Sequence, residues 1–319
     1  MKSNKTGYEF KTQKGEFIRW ASGFRNWVTP DGSPGDSGNG GFAADPDRYH
    51  LYISHACPWA HRTMIFRALK GLENSISFSV VHPLMPAESW VFGEYPGATE
   101  DHVNQSRSMR ENYLKASPDF DGVVTVPVLW DKQQQTIVNN ESSEIIRMFN
   151  SAFNAYGKAD TDFYPPELRT DIDAINEPIY ENINNGVYRC GFATTQDAYN
   201  AAYKRLFDTL DMLEERLSKQ RYLVGDVLTE ADWRLFPTLV RFDPVYYNHF
   251  KTNKKRLTEY PNLWAYTREL YQIPGVAATV NMDHIKYHYF ASHDSINPTG
   301  IVPRGPEINF MAPHNRDTI

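Results

Sequence analysis

The sequence predicts a protein of two parts, α/β plus all-α: a small mixed sheet with helices on its faces, then an all-helical half. Three observations carry this reading. Strand-like and helix-like patterns alternate from residue 49 to residue 152. From residue 153 to residue 319 the strand signal disappears and long amphipathic stretches dominate. With 41% hydrophobic and 14% aromatic residues, the 319-residue chain can bury a sizeable core and divides into about two domains.

Residues 1–48 read as an extension, with Phe17, Trp20, Phe24 and Trp27 ahead of the glycine-rich loop 31–41. A phosphate cradle would need a buried strand before that loop and a helix carrying Lys-Ser/Thr after it. Neither pattern is present, so a flexible loop is expected. His50–Ser54 is a short strand, and Pro58–Leu72 carries Met64, Ile65, Leu69 and Leu72 at helical spacing. Ile76–Val81 is a second strand. The segment 83–121 reads as an insertion with one helix, Asp101–Lys115. Val123–Trp130 and Thr136–Val138, about the polar turn 131–135, form an antiparallel hairpin, and the helix Glu141–Ser151 follows. Beyond a polar linker at 154–166 the helical stretches are Leu168–Asn184, Gln196–Lys219, Glu230–Asn248 and Leu263–Leu270. Thr229-Glu-Ala-Asp232 is a helix-start signal, a hydroxyl three residues ahead of a carboxylate.

The net charge of −6 and the lack of a basic run argue against nucleic acid or an anionic membrane surface as partner. The most apolar stretch, Val123–Trp130, is eight residues long, against roughly 20 for a membrane-spanning helix. The first 17 residues show no secretory pattern, so the cytosol is the expected compartment. Two cysteines, Cys57 and Cys190, could form at most one bridge, and a chain of this size in the cytosol does not depend on one.

Cys57 follows the first strand, and Pro58 occupies a first helical position. A cysteine there faces orphan N–H groups at the positive end of the helix dipole, which lowers its pKa and makes it nucleophilic. The competing reading is a small buried residue at a strand end. In Cys57-Pro-Trp-Ala60, alanine stands where a resolving thiol would be, so one sulfur must finish its cycle with an external thiol such as glutathione. Val126-Pro127 is either a cis pair that turns the Val126 N–H and C=O toward an extended ligand, or a trans proline opening an edge strand. Asn140-Glu-Ser-Ser-Glu144 is either a receptor for a carboxylate and an ammonium group or a plain N-cap. Cys190 reads as a packing residue. His284 and His288, with His293 nearby, offer half a metal site but no further ligand pattern, so pocket or surface histidines are expected.

These features, ahead of an all-helical half, resemble the glutathione transferase superfamily. Longer motifs narrow the match: Cys57-Pro-Trp-Ala-His-Arg62, Val124-Thr-Val-Pro-Val-Leu-Trp-Asp131, the run 137–149, and the tail motifs 293–298 and 301–306. They look like the Xi class, the glutathionyl-hydroquinone reductases, over roughly residues 15–306. The resemblance implies a thioredoxin-like domain that binds glutathione, a helical domain with the acceptor pocket, and a homodimer. It places the nucleophile on Cys57 and the glutathione contacts on Trp90, on Val123, Val124, Thr125 and Val126, and on Glu141 and Ser142. Family members often carry arginine or another polar residue where this chain has Val123. The family's tyrosines fall on Tyr188, Tyr246 and Tyr289, with Tyr247 and Tyr287 as neighbouring alternatives. A phenol could protonate a departing hydroquinone, and hydroxyls could hydrogen-bond a thiolate.

The implied function is glutathione-dependent reduction of glutathionyl-hydroquinones through a Cys57-glutathione mixed disulfide, with glutathione as co-substrate and no bound cofactor or metal. An Omega-like thiol transferase or dehydroascorbate reductase shares the helix-start cysteine but lacks the tyrosine trio and the tail. A non-catalytic interaction module of the same fold is the alternative from another class.

Overall fold

The computed structural model describes residues 11–86, 89–317 and 319. The head of the extension, residues 1–10, and Glu88 beside the Trp90 motif lie outside them. Two compact units emerge, the first built from the described residues of 20–162 and 279–288, the second from those of 11–19, 163–278 and 289–319.

The second unit opens with a hairpin of β1 (Lys11–Gln13) and β2 (Glu16–Ile18), a pair the sequence reading did not anticipate. Gly15, at φ 85°, makes its turn, and its carbonyl accepts the Thr194 N–H at 3.0 Å. The first unit holds a four-stranded sheet of β3 (Tyr49–Ile53), β4 (Ile76–Val80), β5 (Val128–Asp131) and β6 (Thr136–Asn139). Its spatial order is β4-β3-β5-β6, with β3 and β4 parallel and the other pairs antiparallel. The parallel pair requires a crossover, which α1 (Pro58–Leu69) supplies. All five residues of β3 are buried, as expected of a central strand covered on both faces.

Several predicted elements shorten: the helix expected over Pro58–Leu72 ends at Leu69, and two others lose residues at their start. The helix expected over Asp101–Lys115 is α2, Met109–Ala116. Asp101 instead accepts the N–H groups of Val103, Asn104 and Ser106 and the Tyr52 hydroxyl, so its carboxylate competes with a helical path for that backbone. Ser108 then caps α2 by accepting the Glu111 N–H. The strand expected from Val123 is paired only from Val128, after the cis Val126–Pro127 bond. The unit also contains α3 (Ser142–Ser151). Residues 24–28 lie along the sheet and α3: the Asn26 N–H donates to the Val138 carbonyl at 3.0 Å, and the Val28 N–H to the Met148 sulfur at 3.2 Å. The glycine-rich loop is closed rather than open, the Gly41 N–H reaching the Gly32 carbonyl at 2.7 Å. A side chain at Gly35 would strike the Trp27 ring, so this glycine serves close packing.

His50, on β3, is buried with its ring nitrogens 2.8 and 2.9 Å from the Ser77 and Ser79 hydroxyls. Burial pushes its pKa down to about 4 from 6.5. Between those values the unfolded chain binds a proton that the folded chain refuses, so stability falls as pH drops from 6.5 toward 4, by about 3 kcal/mol in full. A His50→Gln variant followed by urea unfolding at pH 7.5 and pH 4.5 should show a smaller loss between the two pH values than the parent.

The helical unit runs α4 (Arg169–Pro178), α5 (Gly186–Gly191), α6 (Gln196–Leu217), α7 (Glu230–Arg241), α8 (Tyr247–His249) and α9 (Pro261–Gln272). At the start of α7 the Asp232 carboxylate accepts the Thr229 N–H at 2.8 Å, as the start signal predicts. The stretches read as continuous helix are interrupted by π-helical turns at Ile179–Asn184 and Phe242–Tyr246. Pro244 lies inside the second and has no N–H for a regular helical bond. The last helix, α10 (Met282–Ser292), was not predicted; residues 282–288 belong to the first unit and 289–292 to the second. Among the described residues no helix is long and apolar enough to cross a membrane.

Candidate active site

In the first unit, β3 delivers the chain into a tight turn. The Cys57 N–H donates to the Ser54 carbonyl at 3.1 Å, and the Ala56 N–H to the Ser54 hydroxyl oxygen at 3.2 Å. Cys57 is the N-cap of α1, extended at φ −72° and ψ 120°, with Pro58 beginning the helix. The Cys57 carbonyl accepts the His61 N–H at 3.0 Å, so its sulfur sits at the positive end of the α1 dipole. The half-buried thiol points at the Val126 carbonyl, 3.3 Å away.

The chain before that carbonyl is held from behind. The Tyr113 hydroxyl donates to the Thr125 carbonyl at 2.9 Å, and the Asn140 amide donates to the Tyr113 hydroxyl at 3.0 Å. Val124 and Val126 are buried, whereas Val123 borders a cleft of about 150 Å³ with Trp20, Ser22, Phe120, Thr125 and Asn140. Glu141 caps α3 by accepting the Ser143 N–H at 3.1 Å and also takes the Ser22 hydroxyl at 3.0 Å. Burial pushes this carboxyl up, but the Ser143 N–H, the Ser22 and Ser143 hydroxyls and the Arg62 charge outweigh it, leaving the pKa below its usual value. Ser142 begins α3 and accepts an Arg62 guanidinium N–H at 3.3 Å, which links it to the helix that Cys57 caps. Trp90 is buried in a different setting, its ring stacked on His288 at 4.8 Å while the His288 Nδ1 lies 2.8 Å from the Pro83 carbonyl. His284 Nε2 is likewise 2.7 Å from the Pro96 carbonyl.

In the second unit three phenols converge. The Tyr188 and Tyr289 hydroxyl oxygens are 2.5 Å apart, and those of Tyr246 and Tyr289 are 3.0 Å apart. Tyr246 and Tyr289 are buried, which first of all drives their pKa values well above 10, whereas Tyr188 is half-buried. The neighbouring tyrosines go elsewhere: Arg256 covers the Tyr247 ring, and Tyr287 packs on Tyr95. Phe250 lies against both Tyr188 and Tyr246, and a side chain at Gly191 would strike it. Cys190 is buried, its thiol pushed up to about 12 by that burial. Ser22, Tyr113 and Arg19 carry no signal in the sequence, and Arg62, which the sequence places in the Cys57 motif but pointing away along the first turn, reaches Ser142. All reach their partners across dozens of residues or more, except Tyr113, whose partner Thr125 lies 12 residues on.

Residues 56–152 match the family model for the glutathione S-transferase N-terminal domain, and residues 196–269 match that for the C-terminal domain. The chain is 56% identical to glutathionyl-hydroquinone reductase YqjG of Escherichia coli, covering 98% of this chain and 95% of that protein. The glutathione-bound structure of YqjG superposes with a TM-score of 0.91 at 57% identity, covering 92% of this chain and 96% of that one. An Xi class structure from Natrialba magadii gives 0.89 at 50% identity, with 93% and 89% covered. The chain belongs to the Xi class of the glutathione S-transferase family. Glutathionyl-hydroquinone reductase PcpF of Sphingobium chlorophenolicum is a further relative, 50% identical over 94% of this chain and 92% of that protein. The sheet of the first unit is the family's thioredoxin-like half, and the helices of the second are its helical half.

Proposed function

We propose that this Xi-class protein reduces glutathionyl-hydroquinones to hydroquinones at the expense of glutathione, as a homodimer in the cytoplasm. One observation carries the reading: identity above one half, over almost the whole chain, to a relative named for that reaction. The lone sulfur at the α1 N-cap supports it, because such a site needs an external thiol.

The Cys57 thiolate attacks the glutathione sulfur of the adduct, and the bond from that sulfur to the ring carbon breaks. The ring carbon keeps the electron pair and takes a proton from Tyr188, giving the hydroquinone and a Cys57-glutathione mixed disulfide. A second glutathione thiolate then attacks the mixed disulfide, releasing oxidised glutathione and restoring the Cys57 thiolate. Glu141 and Ser142 receive the charged end of glutathione, the backbone of Val123, Val124, Thr125 and Val126 runs alongside its peptide, and Trp90 packs on it. Tyr246 and Tyr289 support Tyr188 through their shared hydrogen bonds.

Incubation with the glutathione adduct of menadiol, followed by excess glutathione, tests the sequence of steps. Release of menadiol together with a glutathione-sized mass increase on Cys57 is expected. A Cys57 adduct from oxidised glutathione without menadiol release would instead indicate a general thiol transferase.

A further inference from the structure

Arg19, one residue beyond β2, lays its guanidinium carbon 4.9 Å from the centroid of the Tyr188 ring. Its Nε donates to the Asn185 side-chain oxygen at 2.6 Å. Asn185 is the residue from which α5 starts, and its carbonyl accepts the Arg189 N–H at 2.8 Å. The guanidinium is therefore tied to the same helical turn whose phenol it covers. Phe17 stacks on that ring with centroids 6.0 Å apart and also lies 5.3 Å from the guanidinium carbon, so the strand residue and the cation form one lid over Tyr188.

A cation on the face of a phenol is attracted by the ring's π electrons. The attraction grows when the hydroxyl loses its proton, because the negative charge spreads into the ring. We propose that Arg19, held by Asn185, is a positioning residue that fixes the Tyr188 ring and makes its hydroxyl a stronger acid toward the departing hydroquinone. The inference rests on the proton-donor role given to Tyr188 above. Other titratable groups stand nearby in this unit: Glu16, Glu181, Arg189 and Arg205 line a cleft with Arg19, and Arg189 pairs with Glu181 at 2.6 Å. Tyr246 and Tyr289 are held protonated by burial, and Arg241 acts on those two phenols. Cys190, two residues along α5, stays a thiol. Phe192 and Phe250, also against Tyr188, carry no charge.

The experiment compares the parent with Arg19→Met, Arg19→Lys and Tyr188→Phe, using the menadiol adduct and glutathione. Arg19→Met keeps the length of the side chain and removes the charge. It should lower kcat about three- to tenfold, leave KM for glutathione within about twofold, and move the alkaline limb of the kcat profile up by about half a pH unit. Arg19→Lys should recover part of both. An ultraviolet titration of tyrosinate, with the Tyr188 signal identified as the one missing in Tyr188→Phe, should move upward by the same amount in Arg19→Met. Unchanged kcat and an unmoved limb in a folded variant would overturn the proposal. So would an equal slowing of Cys57 glutathionylation by oxidised glutathione, a step that needs no phenol. Should Arg19→Met not fold, Asn185→Ala keeps the cation and removes its tether, and a smaller shift in the same direction is expected. A parent that releases no menadiol would instead sink the donor role of Tyr188, while the tyrosinate titration would still decide whether Arg19 acidifies it.

Discussion

Cys57→Ser lowers menadiol release by about a thousandfold or more, and no glutathione adduct forms on the variant. The size follows from the chemistry. A serine hydroxyl is barely ionised near neutral pH, and even as alkoxide it cannot form the disulfide from which the second glutathione departs. The fold should be unaffected, because serine is close in size, and its hydroxyl can donate to the Val126 carbonyl that the thiol faces at 3.3 Å. Turnover assays with mass measurement of the intact variant check both halves. Substantial residual turnover would mean that the adduct is reduced by direct attack of free glutathione, with Cys57 a bystander.

Asp101→Ala has the largest expected effect on stability, a loss of about 4 kcal/mol in urea unfolding. The carboxylate is buried and accepts from the Val103, Asn104 and Ser106 N–H groups, from the Tyr52 hydroxyl and from the Asn112 amide. Removing it strands those donors inside the protein. Burial alone would raise its pKa, but these donors together hold it below 3.8. Its contribution is therefore complete above pH 3.8 and is lost as pH falls through the lower folded value. The loss should be local before it is global. The Phe92 N–H binds the Arg107 carbonyl and the Met109 N–H binds the Trp90 carbonyl, so the ends of this loop fix the strand-like stretch that carries Trp90. Hydrogen exchange should rise first at residues 89–108. Exchange confined to other segments would show that the carboxylate is not what organises this stretch.

What the sequence discloses and what it hides follow from the range of the interactions. The turn from β3 into α1 is readable because a β-rich run, Cys57 and Pro58 are contiguous and each has a positional preference. The cap of α7 is readable for the same reason. The π-helical turns are not, because their apolar spacing differs little from that of an α-helix. α10 is not legible because His284, Lys286, Tyr287 and His288 interrupt the apolar spacing of Met282, Ile285 and Phe290. In the structure His284 and His288 face the carbonyls of Pro96 and Pro83, nearly two hundred residues or more away. Residues 22–28 of the stretch read as an extension are woven into the first unit through Asn26, Val28 and the Ser22–Glu141 bond, none of which has a local signature. Trp90 and the three tyrosines became candidates only through family resemblance, since nothing in a lone aromatic residue separates a packing role from a chemical one.

The three phenols have a directional consequence. Tyr289 is the middle member, within hydrogen-bond reach of both Tyr188 and Tyr246, and each hydroxyl brings one proton to the row. When Tyr188 has given its proton away, Tyr289 can turn its own toward the bare oxygen, and Tyr246 can turn toward Tyr289. Two rotations about C–O bonds then stabilise a charge held on the Tyr188 oxygen through the row of hydrogen bonds, while both buried hydroxyls keep their protons. On the donor role proposed for Tyr188, the charge rests on the half-buried member of the row, and neither buried phenol has to carry it.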